Sequence, residues 1–459
     1  MTTSRRGFIK AVTAGLATIP LTGLSTGCSG STLIPRRSYG PLEPDASTVK
    51  VVSLPRGFSY RMLSNAGNRM TDGFYKPMNP ASMGVFPTKD AQVVIVRNHD
   101  ITPGGPSRKG PFGFKRHLLS ELDPSLVYDV GGEEGKASLG GVTTLVYDMV
   151  TREVVRQHLS LAGTIHNRAG AATPWGTWLS CEASWQSRDA RHEKDHGFCF
   201  EVPASASPAI AEPVPLRRMG RFPRGGLVVS PNSGSVYQTE AHREGFLYRF
   251  VPHERQRLRA GGTVQAIVAI DRTPLSAQRL KAGEAAIPVR WVDLAIDHPN
   301  KDLRSQGKRL QCATFPYGGP MCRHGSDIYF LCGRSPEASQ SQVWRYRPTP
   351  KAASGESDGE LDLVISFGKN DALTSITDLS ITPWGDLLVC GEREGEAYLA
   401  GATLEGDVYL IARSQFSGGY PFAGAVFGPG GRTLFVNVPH GGFTLAIEGP
   451  WYRRDLSRG

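Results

Sequence analysis

The sequence predicts an all-β protein built from repeated small sheets, and three observations carry that reading. Its 459 residues include 54 glycines and 33 prolines with few long amphipathic runs, a composition of many turns and short strands. Segments of five to eight residues rich in β-branched and aromatic side chains follow one another along the chain: VVIVRNHD, TTLVYDM, TWLSCE, GFCFEVP, SVYQTEA, GFLYRFVP, DIYFLCGR, QVWRYRP, DLLVCG, DVYLIAR and RTLFVNVP. Four stretches, SPNSGSVYQTE, RHGSDIYFLCG, TPWGDLLVC and GPGGRTLFVNV, share one form, a glycine-bearing turn before an apolar strand. Such recurrence marks propeller blades, because one small sheet cannot bury both of its faces alone. A pair of packed sheets in a β-sandwich is the alternative from pattern alone.

Residues 1–28 read as a cleavable export signal. The paired Arg5 and Arg6 are followed by Gly-Phe-Ile-Lys and then by AVTAGLATIPLTGL, a run too short and too glycine-rich to span a membrane. Twin arginines in this setting resemble the signal read by the twin-arginine export machinery, which moves folded proteins. LSTGC makes Cys28 a candidate acylation residue, although Ser25 stands where a lipobox has Leu. The expected location is outside the cytoplasm: periplasm, cell surface or extracellular space, soluble or lipid-anchored at Cys28. Later in the chain no apolar run reaches spanning length.

Residues 29–48, rich in Ser, Pro and Gly, read as a flexible linker, and 49–459 as one domain of consecutive strands. Insertions at 100–138, 184–215 and 253–310 interrupt the repeat; short helices are expected only there, as in PLSAQRLKAGEAA. The net charge of +10 includes Arg5, Arg6 and Lys10 of the signal, leaving +7 on the remainder. Those charges are dispersed, with no arginine run interleaved with aromatics, so nucleic acid is not an expected partner. Seven cysteines show no C-x-x-C spacing. Cys199, Cys332 and Cys390 read as buried packing thiols in apolar strands, and a Cys312–Cys322 pair is left open.

The stretch with most chemistry is 161–183, LAGTIHNRAGAATPWGTWLSCEA. Gly163, Gly170, Pro174 and Gly176 exclude a helix, and TWLSCE is a short strand ending in a thiol beside a carboxylate. That pairing suits a metal or a reactive thiol; equally, it suits a buried strand–turn–strand unit with a structural cysteine. The eleven histidines contain no H-E-x-x-H, and neither G-x-S-x-G nor a Walker-type loop is present. His196 and His440 read as polar-contact histidines at strand edges or turns, with Asp195-His196 as a weaker acid–base candidate.

The stretch at 161–183 resembles the signature N-C-A-G-G-x-T-P-W-G-T-W-L-T-C-E-E of the PhoX-type alkaline phosphatases. The resemblance continues through LPRGFSYRMLS, RNHD, GGVTTLVYD, DHGFCFEVP, MGRF, VYQTEA, SQVWRYRP, PWGDLLVC and GRTLFVNVPHGG. It implies a six-bladed propeller with decorated loops, and phosphomonoester hydrolysis at a cluster of iron and calcium ions held by carboxylates and one Cys. Hard cations need several oxygens each, so such a cluster needs many converging acids.

Set against that pattern, this chain keeps only part of the ligand set. Asp100 stands in Asn98-His99-Asp100 for N-H-E, Cys181 and Glu182 for two groups of C-E-E, and Glu240 for one of T-E-D. Asp378 and Glu392 are further candidates, from Thr377-Asp378 and Cys390-Gly391-Glu392. Acids are lost near Ala81-Ser82-Met83, at Gly225 and near Tyr317-Gly318-Gly319; Arg168 replaces a Cys and Arg224 a His. These changes make the channel more positive, so Arg168, Arg224 and Asn167 form a candidate pocket for a small phosphorylated or anionic ligand. The alternative is that the two arginines pair with Glu182, Glu240 or Asp100 as a plug. The expected function is that of a phosphatase-family protein with weakened or lost metal-dependent hydrolysis; a non-catalytic propeller binding an anionic ligand or a cell-envelope partner is the alternative.

Overall fold

The computed structural model describes residues 33–44, 50–132, 136–277, 280–296, 298, 302–333, 340–349, 358–369, 371–416 and 421–454. Arg5 and Arg6 of the expected export signal and the candidate acylation residue Cys28 lie outside these. Two units are distinguished. In the smaller, formed by 1–35 and 452–459, the strand Leu33–Pro35 pairs antiparallel with Tyr452–Arg454. The larger is Arg36–Trp451.

The larger unit is all-β and propeller-like, as the turn–strand recurrence predicts. Its chain runs as successive antiparallel meanders. Pro80–Pro87, Gln92–His99, Gly140–Asp148 and Glu153–Thr164 make the first sheet; Asn167–Ala172, Thr177–Glu182 and Cys199–Pro203 make the second. Two further meanders, one starting at Arg224–Val229 and one at Met321–His324, are joined into a nine-stranded sheet where Ile287–Leu294 pairs with Gly359–Gly368. The fifth starts at Ser375–Ile381 and takes Val52–Pro55 and Leu42–Pro44 onto its outer edge. The last consists of Ala423–Phe427, Thr433–Val438 and Phe443–Glu448, completed by Ser59–Asn65 from near the start of the unit. The opening strands of these meanders pack side by side in a ring that returns from Ala423–Phe427 to Pro80–Pro87.

Packing explains why the strands read as nearly continuous apolar runs. Each sheet is covered on both faces by its neighbours, and separate cores fill the gaps between sheets. Val94 and Val96 meet Trp178 and Phe200 between the first and second sheets, while Ile95 and Leu145 meet Phe435 between the first and last. Trp178 lies so close over Gly170 and Gly84 that a Cβ at either would sit 2.0 and 2.7 Å from its ring. Its indole nitrogen donates to Asn98 (2.8 Å), whose amide donates to the Ala169 carbonyl (2.7 Å). The TPWGTW stretch is thus a hairpin whose second tryptophan joins two sheets, the structural reading of that motif.

One expectation needs correction. Residues 36–44, assigned above to a flexible linker, pack as part of the larger unit. Tyr39 is buried against Phe58, Tyr409 and Trp451, and Arg37 makes a two-bond ion pair with Asp386 at 2.7 and 2.9 Å. Of the described residues of PLSAQRLKAGEAA, Ala277 is 3-10 helical, and a short α-helix lies in the same insertion at Leu303–Arg309, started by the Asp302 side chain accepting from the Arg304 amide. Among the described residues no helix is long and apolar enough to cross a membrane.

Candidate functional site

Where the opening strands converge they leave a cavity of about 240 Å3, lined by Asn79–Ser82, Asp100, Arg168, Gly225, Thr377, Asp378, Phe422 and His440 among others. A smaller space of about 100 Å3 shares Ser82, Gly225 and Asp378 with it and runs along the same strands. Asp100, just past Gln92–His99, accepts from His166 Nδ1 (2.8 Å) and from the Arg168 guanidinium (2.9 Å). His166 reaches it because its own backbone takes a left-handed turn, φ 46°. Burial would raise the Asp100 carboxyl, but the hydrogen bond from His166 and the charge of Arg168 bring it down to about 2. Asp378 accepts from the amides of Leu379 (2.8 Å) and Gly424. Burial, with Lys109 nearby, holds His440 below its ordinary value.

The other candidates are spent elsewhere. Cys181 and Cys199 lie opposite each other on neighbouring strands, Cα atoms 4.2 Å apart, and form a disulfide. The reading of Cys181 as a thiolate ligand, and of Cys199 as a packing thiol, is therefore corrected. Cys312 and Cys322, the pair left open above, are both buried free thiols.

Glu182 is fully buried and all its acceptor positions are taken: by His196 Nδ1 (2.6 Å) and the Ile165 amide (3.1 Å) on one oxygen, by the Gly197 (2.6 Å) and Phe198 (3.2 Å) amides on the other. His196 Nε2 meets Asp129 at 2.9 Å, completing a carboxylate–imidazolium–carboxylate line. Desolvation opposes the charged ring, yet the charge of Glu182 and the hydrogen bonds of both acids outweigh it and raise His196 to about 9. The polar-contact reading of His196 holds, with Asp129 and Glu182 as partners; Asp195 instead accepts from the Arg188 amide and faces Arg221.

Glu240 accepts from the Tyr248 hydroxyl (2.9 Å) and faces Arg304 at 3.4 Å; burial raises its carboxyl to about 7 despite Arg304. Among the described residues, the buried Arg224 has no carboxylate in hydrogen-bond or ion-pair range. It donates to the Gln238 side chain and to the carbonyls of Gly197, Met219 and Gly220, and lies 4.1 Å from the centre of the Phe222 ring. Asn167 bridges Thr164 (2.7 Å) and Ser180 (2.9 Å). Glu392 pairs through its backbone with Ser375 and lines neither cavity. Of the expected anion pocket, only Arg168 faces the cavity, and it is paired with Asp100, the plug arrangement. Arg224 and Asn167 hold backbone and strand instead.

The family model for alkaline phosphatase PhoX matches residues 37–316. The chain belongs to the PhoX alkaline phosphatase family. No curated protein matches the sequence. Among solved structures, the chain is similar to a putative gluconolactonase (12% identity, 92% of this chain and 99% of that one, TM-score 0.44) and to a Xanthomonas campestris gluconolactonase (11%, 91% and 100%, 0.40). A Bacteroides thetaiotaomicron protein of unknown function is similar over 85% of this chain and 76% of its own (8% identity, TM-score 0.44). Likeness at this level assigns no chemistry.

The iron and calcium that PhoX membership implies do not fit the donors this chain brings together. Among the described residues no three His, Cys, Asp or Glu side chains are grouped to hold a metal ion. Asp100 and Asp378 share the cavity, but each is already satisfied by donors of the protein. Nor is there room at 225: a Cβ there would lie 1.7 Å from the Gly318 carbonyl oxygen, and one at Gly226 2.4 Å from that of Gly319. Backbone has closed over the place where this PhoX-family chain lacks an acid. His166, Asp129, Tyr248 and Arg304 were not singled out from sequence; only the His166-Asn167 neighbourhood of the signature pointed toward one of them.

Proposed function

We propose that this chain is an exported PhoX-family propeller whose metal-dependent phosphomonoester hydrolysis is weakened or lost. The observation that carries the reading is the dispersal of the surviving donors: Asp100, Asp378, Glu182 and Cys181 are held by hydrogen bonds, an ion pair or a disulfide, Glu240 faces Tyr248 and Arg304, and Glu392 lines neither cavity. A six-bladed count is supported by the ring of opening strands from Pro80–Pro87 through Ala423–Phe427. Export is supported by Arg5 and Arg6 and by the Cys181–Cys199 disulfide, since disulfides persist mainly in oxidising compartments.

When bound, a metal cluster would neutralise the phosphate and stabilise charge developing on the transferred group. What this chain offers at the cavity is different: Arg168, already neutralised by Asp100, with His440 in the lining and His166 hydrogen-bonded to Asp100. An incoming anion has to displace Asp100 from Arg168 before it gains that contact. Each lost stabilising donor costs roughly 2.7–4 kcal/mol in a transition state, so several absences suppress turnover even when their effects do not add.

The test is metal content by plasma mass spectrometry and hydrolysis of a simple aryl phosphate at alkaline pH, on protein purified after export. Substoichiometric iron and turnover far below that of PhoX phosphatases with a full ligand set are expected. Brisk hydrolysis with bound iron and calcium would overturn the reading.

A further inference from the structure

Two basic pairs, Arg108-Lys109 and Lys115-Arg116, frame a loop in the first insertion. From Ile101 to Ser120 the chain carries these cations and no Asp or Glu. Arg108, Lys109 and Lys115 are exposed, and among the described residues neither pair makes an ion pair with a carboxylate. Between the pairs stands Phe114, 73% exposed, whereas Phe112 and Leu118 on either side of it are buried. We propose that this loop is a membrane-contact element: Phe114 enters the interface of an anionic lipid bilayer, and the flanking cations meet its phosphate headgroups.

Several features distinguish this tip from ordinary solvated basic surface. Lys115 and Arg116 are both left-handed, φ 51° and 58°, a conformation unfavourable for side chains of this kind. They turn the chain so that Phe114 stays outside while Phe112 packs edge-on against Phe74. Backbone strain of this sort persists only where the surroundings enforce it, and it gathers at functional surfaces. The surroundings do enforce it. The Lys115 amide donates to Ser107 Oγ (3.0 Å), tying the two basic pairs together, and the Leu118 amide donates to the Phe112 carbonyl (3.1 Å). Arg116 Nε donates to the Ala137 carbonyl (3.2 Å), and the amides of Tyr75 and Met78 hold the carbonyls of Pro111 and Lys109, both at 2.9 Å. The Lys115 ammonium lies 5.6 Å from the centre of the Phe114 ring, so charge and apolar surface sit side by side. A rim without acids complements a layer of negative headgroups, and an aromatic ring is well placed at headgroup level. One ring and a few cations give reversible association, which adds to any other tether without depending on one. The proposal is independent of whether metal chemistry survives at the axial cavity.

A tryptophan at the tip makes the readout local. Phe114→Trp in the full chain is titrated with vesicles of phosphatidylcholine alone, and with vesicles of equal parts phosphatidylcholine and phosphatidylglycerol. The added emission is taken as the difference from the parent protein, so contacts made elsewhere in the chain do not enter. With the mixed vesicles it should shift to the blue and be quenched by brominated lipid, at a lipid concentration at least about tenfold lower than with neutral vesicles. Adding Arg108→Gln, Lys109→Gln and Lys115→Gln should raise that concentration by about tenfold or more. All the changed positions are exposed, so the fold should persist, checked by an unchanged urea midpoint. No shift with the mixed vesicles, an equal response to neutral ones, or a parent-like response after loss of the three cations overturns the contact. So does a chain that ignores both vesicles but binds polyglutamate through the same cations, which would assign the face to an acidic protein.

Discussion

Replacing Glu182 with Gln distinguishes most sharply between a carboxylate kept for the fold and one kept for a metal. The side chain is buried and its two oxygens accept four hydrogen bonds, one of them from a charged imidazole. An amide keeps one oxygen; its NH2 must face either the His196 and Ile165 donors or the Gly197 and Phe198 amides. It also leaves the buried His196 with Asp129 alone. Breaking a buried pair from one side costs about 3–5 kcal/mol. The rise of His196 from 6.5 to about 9 corresponds to roughly 3 kcal/mol favouring its charged form, which agrees.

Urea unfolding measures this directly. Because the folded-state value of His196 is raised, its contribution is complete below about pH 6.5 and lost as pH climbs through about 9. The variant should therefore be less stable by about 3–5 kcal/mol at pH 6, and the gap should narrow above pH 9. A difference under about 1 kcal/mol that does not change with pH would refute the structural role argued for Glu182. If that small difference came with lost iron, the carboxylate would be a ligand after all.

Three further outcomes are expected. Gly225→Glu, which restores an acid the family places there, should lower the unfolding free energy measured in urea by about 1–3 kcal/mol or more through collision with the Gly318 carbonyl, without raising metal content; a stable, metal-loaded variant would show that the 318–319 backbone yields. Alkylation of unreduced, denatured protein should label Cys312, Cys322, Cys332 and Cys390 and spare Cys181 and Cys199, read by peptide mass spectrometry. Arg5→Lys with Arg6→Lys should hold the precursor in the cytoplasm in a fractionation assay, and unchanged export would remove the twin-arginine reading.

Much of the fold is visible in the sequence because it depends on local rules. A glycine turn followed by an apolar run is enough to place strands such as Val236–Glu240, Asp327–Cys332 and Thr433–Val438. What depends on register and on long-range approach is not visible. Cys181 and Cys199 become partners only because the 184–198 excursion returns its strand with Cys199 opposite Cys181. Arg224 looked like a channel cation because its neighbours in sequence say nothing of the carbonyls of Gly197, Met219 and Gly220 that surround it. Asp100 and Arg168 come together as their family positions suggest, yet their pairing at 2.9 Å turns an expected anion grip into a neutralised couple. Asp129 comes from an insertion with no periodic signal, so nothing local marked it as the partner of His196.

The seam between Ser59–Asn65 and Phe443–Glu448 sets an order of events for the nascent chain. Asn65 is opposite Phe443, 378 residues later in synthesis, so at ribosomal speed the early strand waits about 20–75 s for the hairpin it completes. During that interval its neighbouring edge in the ring does not exist, and an unpaired strand of this kind is a template for wrong associations. Under the proposed twin-arginine export, which accepts only finished molecules, that late step would be completed where the ribosome and chaperones are. Threading the same chain outward from its N-terminus would separate the two halves of the seam by a membrane before either could pair.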